Sequence, residues 1–345
     1  MEEKSDRILA QVVKILNIET IKNADQIELA TVLDWQVIVK KDEFKIGDLG
    51  IYYSIGSVLP KDNPNTEFLQ GKVLKTKKIR GVISQGLLTP LSWAEYYNID
   101  INTLKENDDL TNTLKVKKWV EEEELNEYKN KDGTCGVFPE IIRKTRENRI
   151  QDCGKKLKEL ENKEVVITQK YDGTSTTFMK YNDNFIICGR NRSLLTKTKE
   201  TFHYFEIEEK YNLKENMLKY GKNIAIQGET IGPKINKNRH KMKNLEFYVF
   251  NIFDIDKQYY LNWEEVEKIS SILQLKIVPA IYKGIMKKEW LSVKNLLELS
   301  DEQKYNNGDT PVFAEGIVIK SNYGFGFPRT SFKVISNNYL IKHKL

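Results

Sequence analysis

A lysine, an aspartate and a glycine lie close together behind an apolar run near the middle of the chain. The run is Val165-Val166-Ile167, and Lys170-Tyr171-Asp172-Gly173 follows shortly after it. A β-branched apolar run predicts a strand, and Asp-Gly predicts a turn that glycine makes at low cost. The pattern therefore constrains the fold to place an amine beside a carboxylate at a strand end. A lysine held in this way suits nucleophilic attack on a nucleotide phosphate.

This motif does not decide the function by itself, because Asp-Gly is also an ordinary turn signal. A lysine amine attacks only when it is neutral, and its usual pKa is about 10.4. A catalytic site must lower that pKa by burial or by nearby cations, including a metal ion. A surface lysine beside a turn is the alternative, so the interpretation depends on the elements that follow.

Three downstream strands carry residues that suit nucleotide binding. Arg190 follows one apolar run and suits a ribose hydroxyl or a phosphate. Glu229 ends the next, beside Gly228, where a carboxylate suits ribose hydroxyls or the water shell of Mg²⁺. Phe250 lies in the aromatic run from Phe247 to Asp254 and suits stacking on a nucleobase. The alternatives are strand-end turns and a core strand.

Two further elements lie near the end of the sequence. In a regular strand Glu315 and Ile319 share one face and Lys320 points to the other, so a bulge or a strand end at Ile319 must reconcile them in one site. Lys333 follows the glycine-rich turn at residues 323–328. Each lysine taken separately is unremarkable.

Composition narrows the class of protein. The chain has 345 residues and a formal net charge of +6, which permits a polyanionic partner without establishing one. No apolar run approaches the roughly 18 residues of a membrane span, and the polar start is unlike a signal peptide. The three cysteines show no C-x-x-C pairing, so a disulfide framework is not expected. We expect an intracellular, cytoplasmic protein without a membrane partner.

The chain divides into regions of different pattern. Residues 1–120 show a pattern of short strands separated by turns, including runs at residues 8–18 and 27–39. This pattern predicts a small barrel, for which an OB-like fold is one candidate. Residues 78–88 resemble the corresponding stretch of tRNA-binding OB domains, which implies a nucleic-acid-binding domain. Residues 121–148 are polar and predict a linker. Residues 149–345 mix α and β, with one helix expected around residues 153–160 and another from Asn262, its N-cap, to about Leu273.

In this order, the elements resemble the covalent nucleotidyltransferase superfamily of polynucleotide ligases and mRNA capping enzymes. The amino-terminal region is similar to RNA ligases whose OB domain precedes the nucleotidyltransferase domain. The resemblance implies an α+β protein, with an OB-like barrel followed by a ligase adenylylation domain of antiparallel sheets and helices. It also implies ATP and Mg²⁺ or Mn²⁺, with RNA, or a nicked duplex with an RNA 3′-OH strand, as the partner.

The resemblance also implies roles for particular residues. Lys170 is the expected catalytic nucleophile. Residues expected to bind the nucleotide are Arg149, Asp172, Gly173, Arg190, Glu229, Phe250, Lys320 and Lys333. Residues expected near the metal ion are Asp172, Glu229 and Glu315. The implied reaction joins a 3′-OH to a 5′-phosphate through lysyl-AMP and an adenylylated 5′ end.

Two positions depart from the family pattern. Ser331 stands where many ligases have the first of two alternating lysines, and Gln169 precedes the nucleophile where a glutamate is frequent. Three alternatives remain: a DNA ligase, a capping enzyme, and a non-catalytic RNA-binding protein built on the OB module. DNA ligases and capping enzymes usually carry an OB domain after the nucleotidyltransferase domain, and only 12 residues follow Lys333.

Overall fold

The structure, a computed structural model, describes residues 7–119, 134–306, 311–324 and 329–345. The chain forms two compact units. The first contains Met1–Val120, Ile150–Gly154 and Asn337–Leu345, and the second contains Glu121–Arg149 and Lys155–Ser336. Residues 121–133 of the predicted linker and residues 325–328 of the predicted glycine-rich turn lie outside the described residues.

The first unit is built mainly from short antiparallel strands. They are β1 (Ala10–Thr20), β2 (Ile27–Val32), β3 (Trp35–Lys40), β4 (Leu49–Tyr53), β5 (Ser57–Val58), β6 (Lys77–Ile79), β7 (Val82–Ser84), β8 (Leu87–Pro90) and β9 (Lys117–Lys118). Five of them form a sheet in the order β3-β2-β1-β4-β8. The long strand β1 pairs with β4 through its first half and with β2 through its second, and the register shifts between Ile15 and Asn17. Such an irregularity bends a strand, which suits a barrel-like sheet.

The run at residues 27–39 forms a hairpin, β2–β3, and its turn passes through Leu33 at φ 52°. The first unit also takes in two short segments from later in the chain. One contains α1 (Ile150–Cys153), where Asp152 Oδ1 accepts a hydrogen bond of 2.8 Å from Trp35 Nε1. The other contains α6 (Asn337–His343), followed by Leu345, whose carbonyl accepts a hydrogen bond of 2.9 Å from the Thr76 N–H.

The second unit contains two larger sheets. Its strands are β10 (Cys135–Val137), β11 (Asn148–Arg149), β12 (Glu164–Lys170), β13 (Thr174–Tyr181), β14 (Asn184–Cys188), β15 (Arg192–Leu194), β16 (Ile224–Ile231), β17 (Glu246–Asp254), β18 (Tyr259–Tyr260), β19 (Lys276–Ile277), β20 (Ala280–Ile285), β21 (Lys304–Tyr305), β22 (Val312–Phe313), β23 (Gly316–Ser321) and β24 (Ser331–Ile335). One sheet has the order β10-β15-β14-β13-β16-β17-β18, with β19 also on β17, and the other has the order β11-β24-β23-β12-β20. The pairs β11–β24 and β17–β19 are parallel, and the other pairs in these two sheets are antiparallel.

Among the described residues of the second unit, the sheets are accompanied by the helices α2 (Phe202–Tyr211), α3 (Leu213–Tyr220), α4 (Trp263–Ile272) and α5 (Val293–Glu302). The predicted start of α4 is confirmed, because Asn262 caps it and exchanges hydrogen bonds with Glu265 in a capping box. The helix predicted near residues 153–160 is instead the end of α1 followed by a 3₁₀ segment, Gly154–Leu160. The main core of this unit packs side chains of α2, α3 and α4 against β13, β16 and β17.

Candidate active site

Lys170 is the last residue of β12 and lies opposite Gly316, the first residue of β23. Glu315 immediately precedes β23, so the two side chains meet where these strands end. Lys170 Nζ lies 2.5 Å from Glu315 Oε2. The strand end predicted at Ile319 is not seen: β23 continues through Lys320 to Ser321, and Glu315 lies just before the strand.

The electrostatic surroundings of Lys170 are dominated by carboxylates. Burial lowers the pKa of Lys170, but Glu315, Glu229 and Asp172 outweigh it, and the net shift of the pKa is upward. Burial likewise raises the pKa of Glu315, against the opposing effect of Lys170. Lys170 is therefore held as a cation in this arrangement. It can become a nucleophile only when the negative charge around it is neutralised.

Glu229 reaches the same place from the neighbouring sheet. The pairing of β13 with β16 sets Glu229 opposite Ser175, and Glu229 Oε1 accepts a hydrogen bond of 3.1 Å from the Gly173 N–H. Burial raises the pKa of Glu229 to about 8, an effect that Lys170 and Arg190 oppose and Glu315 and Asp172 reinforce. Glu229 therefore shares an electrostatic environment with every one of these groups.

Gly173 is required for a reason other than the predicted one. It is not among the glycines with positive φ. A Cβ at this position would come within 2.3 Å of the Thr230 carbonyl oxygen and 2.9 Å of Glu229 Cγ. The glycine is therefore needed because β16 passes close to the turn, and this close approach brings Glu229 into the surroundings of Lys170.

Asp172 is held by a loop that the sequence analysis did not single out. Arg239 Nη1 lies 2.6 Å from Asp172 Oδ2, and Asn236 Nδ2 donates to Asp172 Oδ1 over 2.7 Å. The Asp172 N–H donates to His240 Nε2 over 2.8 Å. In this loop Asn236, Lys237 and Asn238 all have positive φ. The asparagine-rich run could have indicated this loop in the sequence, because asparagine tolerates a left-handed backbone better than most residues.

Phe250 lies at an irregularity in the sheet. The pairing of β16 with β17 sets Gln227 opposite Asn251 and Gly228 opposite Val249, so Phe250 is the extra residue of a bulge. Bulges next to functional sites re-aim a side chain. Lys320 Nζ donates to the Phe250 carbonyl over 2.7 Å and lies 5.6 Å from the centre of the Phe250 ring. Lys320 therefore contacts the Phe250 bulge, whereas the Lys170 amine contacts Glu315.

Arg149 and Lys333 lie beside each other, because β11 pairs in parallel with β24 and sets these two residues opposite one another. Lys333 also lies opposite Val318 and lowers the pKa of Glu315, although burial raises that pKa overall. The structure thus brings Lys170, Asp172, Gly173, Arg190, Glu229, Glu315 and Lys333 into one electrostatic neighbourhood.

Comparison with known proteins agrees with this geometry. A model of the RNA ligase family matches residues 163–335, and a model of an OB-fold domain matches residues 9–91. A solved variant of Naegleria gruberi RNA ligase with ATP and Mn is 30% identical, with 97% of this chain and 99% of that chain covered and a TM-score of 0.84. Another variant of that ligase, with AMP and Mn, is 31% identical, with coverages of 98% and 99% and a TM-score of 0.84. The same ligase with PPi is 30% identical, with coverages of 98% and 99% and a TM-score of 0.83. The sequences of curated proteins give no match.

The chain belongs to the RNA ligase family. Its predicted α+β class is confirmed, with an OB-fold at the amino terminus and a ligase domain of sheets and helices after it. Membership supports an enzyme that forms phosphodiester bonds over the non-catalytic alternative. Among the described residues, none of the helices is long and apolar enough to cross a membrane.

The two departures from the family pattern have defined surroundings in this RNA ligase. Gln169 Nε2 donates a hydrogen bond of 2.9 Å to the Lys304 carbonyl. Ser331 Oγ donates to the Glu147 carboxylate, which also accepts an ion pair of 2.9 Å from Arg329 Nη2. Both side chains are thus engaged by protein groups in this state.

Proposed function

We propose that this RNA ligase uses ATP and a divalent cation to join a 3′-OH to a 5′-phosphate at nicks in RNA. The observation that carries the proposal is the Lys170 amine at the end of β12, 2.5 Å from Glu315 and under the influence of Glu229 and Asp172. The relatives with ATP and Mn support ATP and a metal ion here.

In the first step, Lys170 Nζ attacks the α-phosphorus, an N–P bond forms, and the bond from that phosphorus to pyrophosphate breaks. Nζ must lose a proton for this attack, and Glu315 is placed to accept it. AMP then passes from Lys170 to the 5′-phosphate of the nick. The 3′-OH attacks that adenylylated end, the backbone closes and AMP leaves. Lys333 and Arg149, which lie opposite one another on paired strands, supply the positive charge that neutralises the phosphates in this proposal.

The carboxylates around Lys170 are suited to binding a divalent cation through its water molecules. Within the described part of the chain, no group of three or more His, Cys, Asp or Glu side chains is arranged to hold a metal ion. Mg²⁺ usually keeps several waters and uses one or two carboxylates with substrate phosphates. Glu229 and Glu315 would hold such an ion through its waters. When bound, it supplies positive charge beside the carboxylates that keep Lys170 protonated. Asp172 also stays a predicted metal contact, although Arg239 and Asn236 already engage its carboxylate.

Labelled nucleotide tests the covalent step. With α-labelled ATP and Mg²⁺ or Mn²⁺, the protein should take up label that survives denaturing electrophoresis, and α-labelled GTP should give little. Lys170→Met should abolish the label, because no other group supplies the proposed nucleophile. Lys180→Met, a change at another lysine of the same unit, should retain it. Label on the Lys170→Met protein would exclude this assignment.

A set of nicked duplexes tests the substrate. The proposal requires a ribonucleotide at the 3′-OH side of the nick, because a 2′-hydroxyl there distinguishes RNA from DNA and affects the position of the attacking 3′-OH. Small misplacement of reacting groups costs about 10²-fold. A nick with one terminal ribonucleotide should therefore be sealed much faster than an all-DNA nick. Equal rates would favour the DNA-ligase alternative.

A further inference from the structure

Lys320 lies on the face of β23 that carries Gly316 and Val318, because alternate residues of a strand share a face. The residue is 7% exposed. The amine donates to the Phe250 carbonyl over 2.7 Å and to Asn251 Oδ1 over 3.0 Å. Both of these hydrogen bonds therefore go to the bulged segment of β17.

The bulge depends on support from outside the strand ladder. Phe250 has no opposite residue on β16, since the register passes from Gln227–Asn251 to Gly228–Val249. A backbone carbonyl at such a position needs a donor, because burying it without a hydrogen-bond partner destabilises the fold. Lys320 supplies that donor. Its amine thereby ties β23 of one sheet to the irregular point of β17 in the other.

The surroundings of this amine are aromatic. Its Nζ lies 5.6 Å from the centre of the Phe250 ring and 5.6 Å from the centre of the Trp263 ring. Burial lowers the pKa of Lys320 well below its usual range, an effect that Arg329 reinforces and Glu147 opposes. A contact residue for a highly charged triphosphate is expected to present its amine to solvent and to remain cationic. The burial of the Lys320 amine among aromatic rings therefore indicates a structural role.

We propose that Lys320 is a positioning residue that fixes the Phe250 bulge, and with it the ring on which the nucleobase stacks, and that it is not a phosphate contact. The inference rests on the proposed function together with the role expected of Phe250, whose ring suits stacking on a nucleobase. It predicts that Lys320 controls nucleobase binding and discrimination. A phosphate contact would instead control the rate of transfer of AMP to Lys170.

The second unit contains a matched control. Lys180 is also 7% exposed, and its amine also donates to a backbone carbonyl and an asparagine side chain. The acceptors are Gly221 O at 2.7 Å and Asn223 Oδ1 at 3.3 Å, at the end of β13 away from Gly173. Replacing Lys180 therefore removes an equivalent buried anchor without touching the proposed nucleotide pocket.

The experiment compares Lys320→Met, Lys320→Arg and Lys180→Met in the full-length protein, by single-turnover formation of lysyl-AMP over a range of ATP and GTP concentrations. Lys320→Met should raise the half-saturating ATP concentration about tenfold, leave the rate at saturation within about threefold, and reduce the preference for ATP over GTP. Loss of a buried hydrogen bond supports a change of this size. Lys320→Arg, which keeps donors, should recover part of the preference. Lys180→Met should lower the melting temperature and leave all nucleotide parameters unchanged.

A double-mutant cycle separates positioning from general destabilisation. If Lys320 acts through the ring, Lys320→Met should add little to Phe250→Ala in ATP affinity. A lower rate at saturation with unchanged affinity and unchanged preference for ATP would overturn the inference in favour of a phosphate contact. Additive losses in the cycle would also overturn it.

If the proposed function is wrong, the experiment gives a different result from the one expected if only the Lys320 inference is wrong. If the wild-type protein forms no lysyl-AMP, the proposed reaction fails, and calorimetric binding of ATP and GTP to the same variants still tests Lys320. Lys320→Met should then weaken ATP binding more than GTP binding, and equal binding to wild type and variant would exclude the anchor. If Lys320→Met does not fold, Lys320→Arg and the Phe250→Ala background provide the comparison.

Discussion

At the residue scale, the turn that follows Lys170 depends on a residue far away in the sequence. The ion pair of Asp172 with Arg239 joins side chains that are 12% and 8% exposed. Breaking a buried pair by removing one partner leaves an uncompensated charge and costs about 3–5 kcal/mol. The cost in this protein is lower, because Asn236 still donates to Asp172 and both side chains keep some contact with water.

We therefore expect Arg239→Gln to lower the rate of lysyl-AMP formation about 10²-fold, because the turn carrying Lys170 loses its fixed position. Arg239→Lys should recover part of that rate and part of the melting temperature. The measurements are single-turnover labelling with ATP and thermal unfolding. A normal rate in Arg239→Gln would show that Asn236 and His240 suffice to hold the turn.

A second prediction concerns the pH dependence of stability and depends on His203, in α2. It lies at the start of α2, and its Nε2 has no hydrogen-bond partner among the described residues. Burial lowers the pKa of His203 to about 4. In the unfolded chain the usual pKa is about 6.5, so as the pH falls the unfolded state binds a proton first and stability is lost between about pH 6.5 and 4.

By pH 5 this difference amounts to about 2 kcal/mol in the free energy of unfolding. His203→Phe should lose less stability than wild type between pH 7.5 and 5, measured by denaturant unfolding at both pH values. Equal losses in the two proteins would contradict the assignment.

Some residues of the candidate site could be predicted from the sequence, and others could not. Lys170 ends an apolar strand, Glu229 lies near the end of another and Glu315 precedes a third, so a meeting of these side chains near strand ends could be anticipated. Arg239 could not be predicted, because its approach to Asp172 depends on a loop with left-handed residues. The bond of Lys320 to Phe250 also depends on a sheet bulge that leaves no signature in hydrophobic alternation.

At the element scale, the hairpin β6–β7 in the OB-fold presents cations to solvent. Its turn residues, Arg80 and Gly81, both have positive φ, which matches the twist of a tight hairpin. Lys77, Lys78, Ile79 and Arg80 are all exposed. Such a basic and apolar edge fits a nucleic-acid backbone.

Replacing Lys77, Lys78 and Arg80 by glutamine should weaken sealing of nicked RNA and leave lysyl-AMP formation unchanged. The log of nick affinity against the log of salt concentration should also become less steep, by about 0.9 per lost phosphate contact. The control removes Lys22, Lys40 and Lys41, which are equally exposed cations of the same unit. Equal effects of both triple changes would indicate that net charge alone matters.

Element boundaries show why prediction from sequence was incomplete at this scale. The start of α4 followed from Asn262 and Glu265, which supply a local cap. The turn between β2 and β3 was hidden, because Leu33 takes a left-handed conformation without any glycine or proline nearby. Tertiary packing overrides local propensity at that point.

At the scale of the whole molecule, the division into units does not follow chain order. Ile150, Tyr339 and Leu340 are all buried and belong to segments assigned to the first unit. No composition shift marks these segments, since a few residues joining a distant barrel have no period of their own. Removing residues 1–120 would therefore also strip partners from α1 and α6.

The same arrangement makes the enzyme a candidate for reassembly from two separate polypeptides. One piece would end at residue 119, and the other would begin at residue 134 and bring its own docking segments, Ile150–Gly154 and Asn337–Leu345. These segments would recover the bonds of Trp35 to Asp152 and of Thr76 to Leu345. We expect the two pieces, produced together, to copurify and to seal nicks, and Trp35→Phe to weaken their association. Because segments from later in the chain belong to the amino-terminal unit, the two pieces can stay associated after the chain is cut between them.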